Sequence, residues 1–151
     1  MIHTKDLRFG NKLQTRQGQV ITVQQILTNS VIYESKLELN REPVSIGGFG
    51  ASDYYTQLNE VVKEVDCNDL QPIPLTQDIL HTCGFRNYLR EQWISKIGNS
   101  NYDWEFIDGS LRLRNPSPCL TRIQYLHQLQ NFLFAVANYE LEFISRPSIA
   151  L

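Results

Sequence analysis

Residues 121–143 read TRIQYLHQLQNFLFAVANYELEF, and how this stretch is read decides the fold. Leu126, Leu129, Phe132, Leu133 and Val136 recur at the spacing of one helical face. His127, Gln128, Gln130 and Asn131 fill the polar face between them. Asn138 belongs to a residue type that accepts the left-handed conformation ending a helix. From Tyr139 to Phe143 apolar and polar residues alternate, as they do in a half-buried strand. The pattern predicts a helix starting near Gln124, lying as a lid on a sheet and running into a strand. Its start has two readings. Thr121 with Gln124 has the spacing of a capping box, while Ile123 and Tyr125 also fit the end of a strand.

Working back from the helix, Trp104–Ile107 and Leu111–Arg114 flank Asp108-Gly109, a strong hairpin signal. Leu89, Trp93, Ile94 and Ile97 predict a further strand, closed by a turn at Gly98–Asn101. Thr76 is a helix N-cap with Asp78 in the favourable first turn, and Gly84 stops the short helix. Asp69–Pro74 is a stiff connector, because each proline pushes the preceding residue towards extended geometry. Before it, Glu60–Val65 reads as strand. Leu7 to Leu39 reads as three short strands separated by turns at Thr15–Gly18 and Thr28–Ser30. Residues 41–57 interrupt this with Pro43 and the run Gly47-Gly48-Phe49-Gly50, which predicts a long loop.

The expected fold is therefore α+β. An SH3-like small β-barrel or meander over residues 1–71 precedes an antiparallel sheet with two helices over 72–151, with one shared core as the alternative to two.

Composition bounds the function. At 151 residues, with 42% hydrophobic and 20% charged residues, the chain fits one ordinary globular domain or two very small ones. A net charge of −2 counts against long nucleic acid and anionic membrane as partners. No apolar run approaches the roughly 20 residues that span a bilayer, and Met1–Asp6 lacks a signal-peptide core. Cys67, Cys83 and Cys119 are odd in number and far apart, which speaks for free thiols and a cytoplasmic setting.

Two stretches together carry a resemblance. One is Leu70-Gln71-Pro72-Ile73-Pro74-Leu75-Thr76, followed by Ile79-Leu80 and Gly84-Phe85; the other is Tyr125-Leu126-His127-Gln128-Leu129-Gln130-Asn131, followed by Phe134-Ala135 and Glu140-Leu141. With the opening Asp6–Asn11, they resemble a group of short proteins carried by Bacteroidota and their phages, which share these "PIPLT…L…GF" and "HQLQN…FA…EL" motifs. Residues 41–57 and 89–101 have no counterpart in that pattern, and Asn138 stands where a helix-ending glycine is usual. The resemblance implies a compact cytoplasmic protein of mobile-element origin, placed in the host cytoplasm if phage-encoded. It implies no activity.

Several residues are candidates for contact with a ligand. Gly47–Ser52 has backbone N–H groups that suit a phosphate, but it lacks the Lys-Ser/Thr ending of a P-loop. Phe49, Tyr54 and Tyr55 stand among glycine and polar residues, where aromatics suit base stacking or docking on a protein, including a second copy of this chain. Arg112 and Arg114 share one strand face about 7 Å apart, a spacing that suits a phosphate. His127 is a ligand contact or general base on the functional reading, and a surface histidine bonded to a neighbouring loop on the structural one. Gln128, Gln130 and Asn131 read as structural groups that bond sheet-edge or loop backbone. Metal binding is not expected, since His81, Cys67, Cys83 and Cys119 lack paired ligand spacing. Asp103 and Glu105 share a strand face without a nucleophile or histidine beside them, so no catalytic residue and no cofactor is assigned.

Three readings follow. The first is a non-enzymatic binding protein of a phage or mobile element that counters host defence by sequestering a nucleotide signal or blocking a host protein. The second is a nucleic-acid-binding accessory module using the SH3-like half. An enzyme, resting on His127 and scattered acids, comes last.

Overall fold

The computed structural model describes residues 2–36 and 60–143. The fold is α+β, with antiparallel sheets and two α-helices among the described residues. In chain order the strands are β1 (Lys12–Thr15), β2 (Val20–Thr22), β3 (Gln25–Ile26), β4 (Ser30–Lys36), β5 (Glu60–Asp66) and β6 (Leu70–Gln71). Helix α1 (Gln77–Thr82) follows, then β7 (Arg86–Leu89), β8 (Gln92–Ile97), β9 (Ser100–Ile107), β10 (Ser110–Asn115) and helix α2 (Leu126–Ala137).

The strands form three sheets, ordered β2-β1-β6, β3-β4-β5 and β10-β9-β8-β7. The first two wrap one apolar cluster that includes Leu13, Ile21, Val31, Tyr33 and Leu70. The third sheet, α1 and α2 enclose a larger one around Trp93, Trp104, Phe85, Leu111 and Leu129. Alternation explains how the strands serve these clusters. Leu13 and Ile21 point into the first, whereas Val20 packs against the second from the opposite face of the same sheet.

Local signals act at the predicted places. The Thr76 hydroxyl accepts the N–H of Ile79, capping α1. Asn138 closes α2 in the left-handed region at φ 50°. Helix α2 begins at Leu126, and Gln128 bends back so that its Oε1 accepts the N–H of Tyr125 at 3.2 Å. Ile123 bonds Leu111 in both directions, and Pro74 bridges Tyr125, so the approach to α2 extends the third sheet. The helical and extended readings of residues 121–125 therefore divide at Tyr125.

Four expectations are corrected. Tyr139–Phe143 pairs with no strand among the described residues; Leu141 is buried, and its carbonyl accepts from Gln130 Nε2 instead. Residues 89–97 are not one strand. Leu89 ends β7, and a tight turn with Arg90 at φ 34° leads into β8. Leu7 and Phe9 precede β1 in a turn segment, with Leu7 buried and Phe9 exposed. Val136 lies at the edge of α2's buried stripe and is 51% exposed, because Leu126, Leu129, Gln130, Leu133 and Ala137 face the core.

No helix among the described residues is long and apolar enough to cross a membrane. Cys67, Cys83 and Cys119 are free thiols.

Candidate functional site

The outer face of β10-β9-β8-β7 is built by alternation along the middle of β8, β9 and β10. Trp93, Trp104, Leu111 and Leu113 turn inward, and in register Trp93 lies beside Trp104 and Trp104 beside Leu113. The intervening residues must then face outward. Gln92 lies across from Glu105, and Glu105 across from Arg112. At the end of β10 the register shifts between Leu113 and Asn115, which re-aims Arg114. Its guanidinium reaches Glu105 Oε1 at 3.3 Å. Asn115 Nδ2 donates to Asp103 Oδ2 at 3.2 Å.

Gln92, Asp103, Arg114 and Asn115, with Tyr88 and Trp104, line an open recess of about 330 Å³, of which Arg112 and Glu105 form no part. Tyr88 is 57% exposed on the edge strand β7. The recess thus combines an aromatic face, a guanidinium, a carboxylate and two amides. Its electrostatics differ from a bare pair of arginines. Glu105 lies opposite Arg112 and bonds Arg114, and Asp103 adds a second carboxylate, so two carboxylates meet the two guanidiniums. That balance weakens the face as a site for a highly charged anion and leaves it suited to hydrogen bonding and stacking.

The remaining predicted residues lie elsewhere. Phe49, Tyr54 and Tyr55, with the glycine run beside them, are outside the described residues. His127 lines no part of this recess. It is not on an open polar face either, being only 5% exposed at the start of α2. Its ring stacks on Tyr125 at 6.0 Å, and Nδ1 has no hydrogen-bond partner. Burial pushes its pKa down, opposed by the charge of Asp6. This is the environment of a neutral packing group.

The neighbouring polar residues of α2 form a seam. Gln130 Oε1 accepts the N–H of Lys12 at 2.9 Å, and its Nε2 donates to the carbonyls of Gly10 and Leu141. Asn131 donates to the Asp6 carbonyl at 2.8 Å. Arg8 grips Glu140 through both terminal nitrogens and lies over the Phe134 ring at 3.9 Å. The HQLQN stretch therefore fastens the N-terminal turn segment and β1 onto the second half.

Tyr88, Gln92 and Asn115 escaped the sequence reading. Tyr88 carries a usable signal, an aromatic set among Arg86, Asn87 and Arg90, which a single strand starting at Leu89 leaves out. Among the described residues no three or more His, Cys, Asp or Glu side chains gather to hold a metal ion.

The fold and this surface define an α+β protein with a polar, aromatic-edged recess on the exposed face of an antiparallel sheet. No protein-family model, curated protein or solved structure matches the chain.

Proposed function

We propose that the chain is a non-enzymatic binding protein of phage or mobile-element origin, working in the host cytoplasm, that sequesters a small nucleotide signal on the outer face of the β7–β10 sheet. The observation that carries this reading is the meeting of Tyr88, Arg114 and the Asp103–Asn115 pair around one recess. A nucleotide needs a flat apolar surface for its base, paired donors and acceptors for the base edge, and a guanidinium for phosphate. Tyr88, Asn115 with Asp103, and Arg114 supply them in that order. The volume of about 330 Å³ lies at the lower end of the roughly 300–1,000 Å³ of small-molecule sites. The charge balance at Glu105 favours a ligand with few phosphates. The β-rich half is, in this reading, an SH3-like meander; two small sheets curled about one apolar cluster support it.

The test is to purify the protein, compare its absorbance at 260 and 280 nm, and identify by mass spectrometry what denaturation releases. A small nucleotide, lost in the double variant Tyr88→Ser with Arg114→Gln, is the expected result. Long nucleic acid removed by high salt would replace this reading with that of a nucleic-acid-binding module. A nucleotide converted rather than retained would make the protein an enzyme.

A further inference from the structure

A second recess, of about 270 Å³, opens at the seam between the two halves, where Lys12, Thr22, Gln130, Leu141, Glu142 and Phe143 meet. Lys12 and Thr22 face each other across β1 and β2. They stand on the sheet face opposite Leu13 and Ile21, which fill the first core. The ammonium of Lys12 is half-buried and donates to the Thr22 hydroxyl. Among the described residues the ion pairs are Arg8–Glu140, Arg16–Asp69 and Arg114–Glu105, and Lys12 is in none of them. Burial pushes the Lys12 pKa down. An ammonium partly withdrawn from water, with no carboxylate of the described residues within 4 Å, is costly to keep, and an anion entering the recess would relieve that cost.

The other groups narrow the choice of anion. Gln130 is already engaged with the Lys12 N–H and the carbonyls of Gly10 and Leu141, so it shapes the floor and offers little to a ligand. The free donors are the ammonium and the Thr22 hydroxyl, one for each oxygen of a carboxylate. A phosphate would leave oxygens unmatched, and Glu142 at the exposed rim would repel a dianion more strongly than a monoanion. Leu141 and Phe143 supply an apolar wall. We propose that this recess binds a small monocarboxylate with an apolar tail, its carboxylate between Lys12 and Thr22 and its tail along Leu141 and Phe143. The site is separate from the outer-face recess, and neither reading rests on the other.

The experiment is a titration of the full ¹⁵N-labelled chain with hexanoate, followed by amide resonances, with 1-hexanol and inorganic phosphate as comparison probes. Hexanoate should shift the Gln130 side-chain amide and the backbone amides of Gly10, Lys12 and Thr22 saturably. Lys12→Met should weaken the apparent affinity tenfold or more, and Glu142→Gln should strengthen it severalfold. If Lys12→Met does not fold, Thr22→Val carries the same expectation of weakening. Shifts that fail to saturate, that 1-hexanol reproduces, or that survive Lys12→Met unchanged would overturn the site. Phosphate binding as tightly as hexanoate would overturn the assigned ligand class.

Discussion

Asn11 donates from Nδ2 to Oδ1 of Asn131 over 2.9 Å, a bond between residues 120 positions apart. Asn11 is fully buried, and its own Oδ1 accepts the N–H of Arg8 at 2.7 Å. Asn131 in turn holds the Asp6 carbonyl. One amide pair therefore fixes the N-terminal turn segment against α2. Removing Asn131 leaves a buried donor on Asn11 unmatched, at about 1–3 kcal/mol. Asn131→Ala should lower the urea midpoint accordingly. Adding Asn11→Ala should cost less than the sum of the two single changes, by about 0.5 kcal/mol or more. Strict additivity in that cycle would show that the two amides do not act together.

Leu129 and Val136 lie two turns apart on nearly the same side of α2, yet only Leu129 is covered by the core. Leu129 is fully buried within the larger cluster, beside a helix face on which Phe132 meets Trp104 at 5.9 Å. Leu129→Ala should destabilise by about 2–5 kcal/mol, since the lost contacts leave a cavity. Val136→Ala should stay within about 0.5 kcal/mol, because its side chain is largely in solvent. Thermal unfolding of both variants tests this: equal losses would mean that the core extends over the last turn of α2 as well.

His127 should make stability depend on pH. Burial lowers its pKa below the ordinary 6.5, with Asp6 opposing. The folded state then prefers the neutral ring, while the unfolded chain takes up a proton first as pH falls. The stabilisation is fully present above about pH 6.5 and declines as pH drops towards the folded-state pKa. Urea midpoints between pH 7.5 and 5 should fall more for the natural protein than for His127→Gln. Asp6→Asn should steepen the decline, since it removes the charge that favours the protonated ring. Identical slopes in all three proteins would mean that His127 keeps its ordinary pKa on folding.

What was legible in the sequence was what local chemistry enforces. The Asp108-Gly109 turn, the Thr76 cap, Gly84 and the Asn138 terminus each demand a particular backbone, and each acts where it was expected. The turn at Arg90 was not legible, because a non-glycine residue there adopts a positive φ without a turn signature. Polar residues on a helix misled in the same way. His127 and Gln130 look like a solvated face, yet they are buried because β1 and the N-terminal turn segment cover them. Tertiary contact of that kind leaves no periodic mark. Arg112 and Arg114 were placed on one face by alternation, but the carboxylate between them came from register with β9.

The three cysteines should differ sharply in reactivity, because the thiolate is the reacting form. Cys119 is half-buried at the margin of the larger core, beside Leu120, which is 92% exposed. Hydrogen bonds from the Thr121 side chain and backbone hold its pKa below the ordinary value. Cys67 is buried and shifted upward by burial and by the charge of Asp66. Cys83 packs against the larger core behind α1, and burial pushes its pKa up to about 12. At pH 7.5 such a thiol is almost wholly protonated, so direct alkylation there is slow. Cys83 can react appreciably only through local opening of the end of α1, at a rate set by that opening equilibrium. Iodoacetamide added to the native protein, followed by peptide mass mapping over time, should label Cys119 at least tenfold faster than either of the others. In urea the three rates should converge, because the environments that separate them are gone. Early labelling of Cys83 in the native state would mean that the contact between α1 and the core opens far more readily than its burial implies.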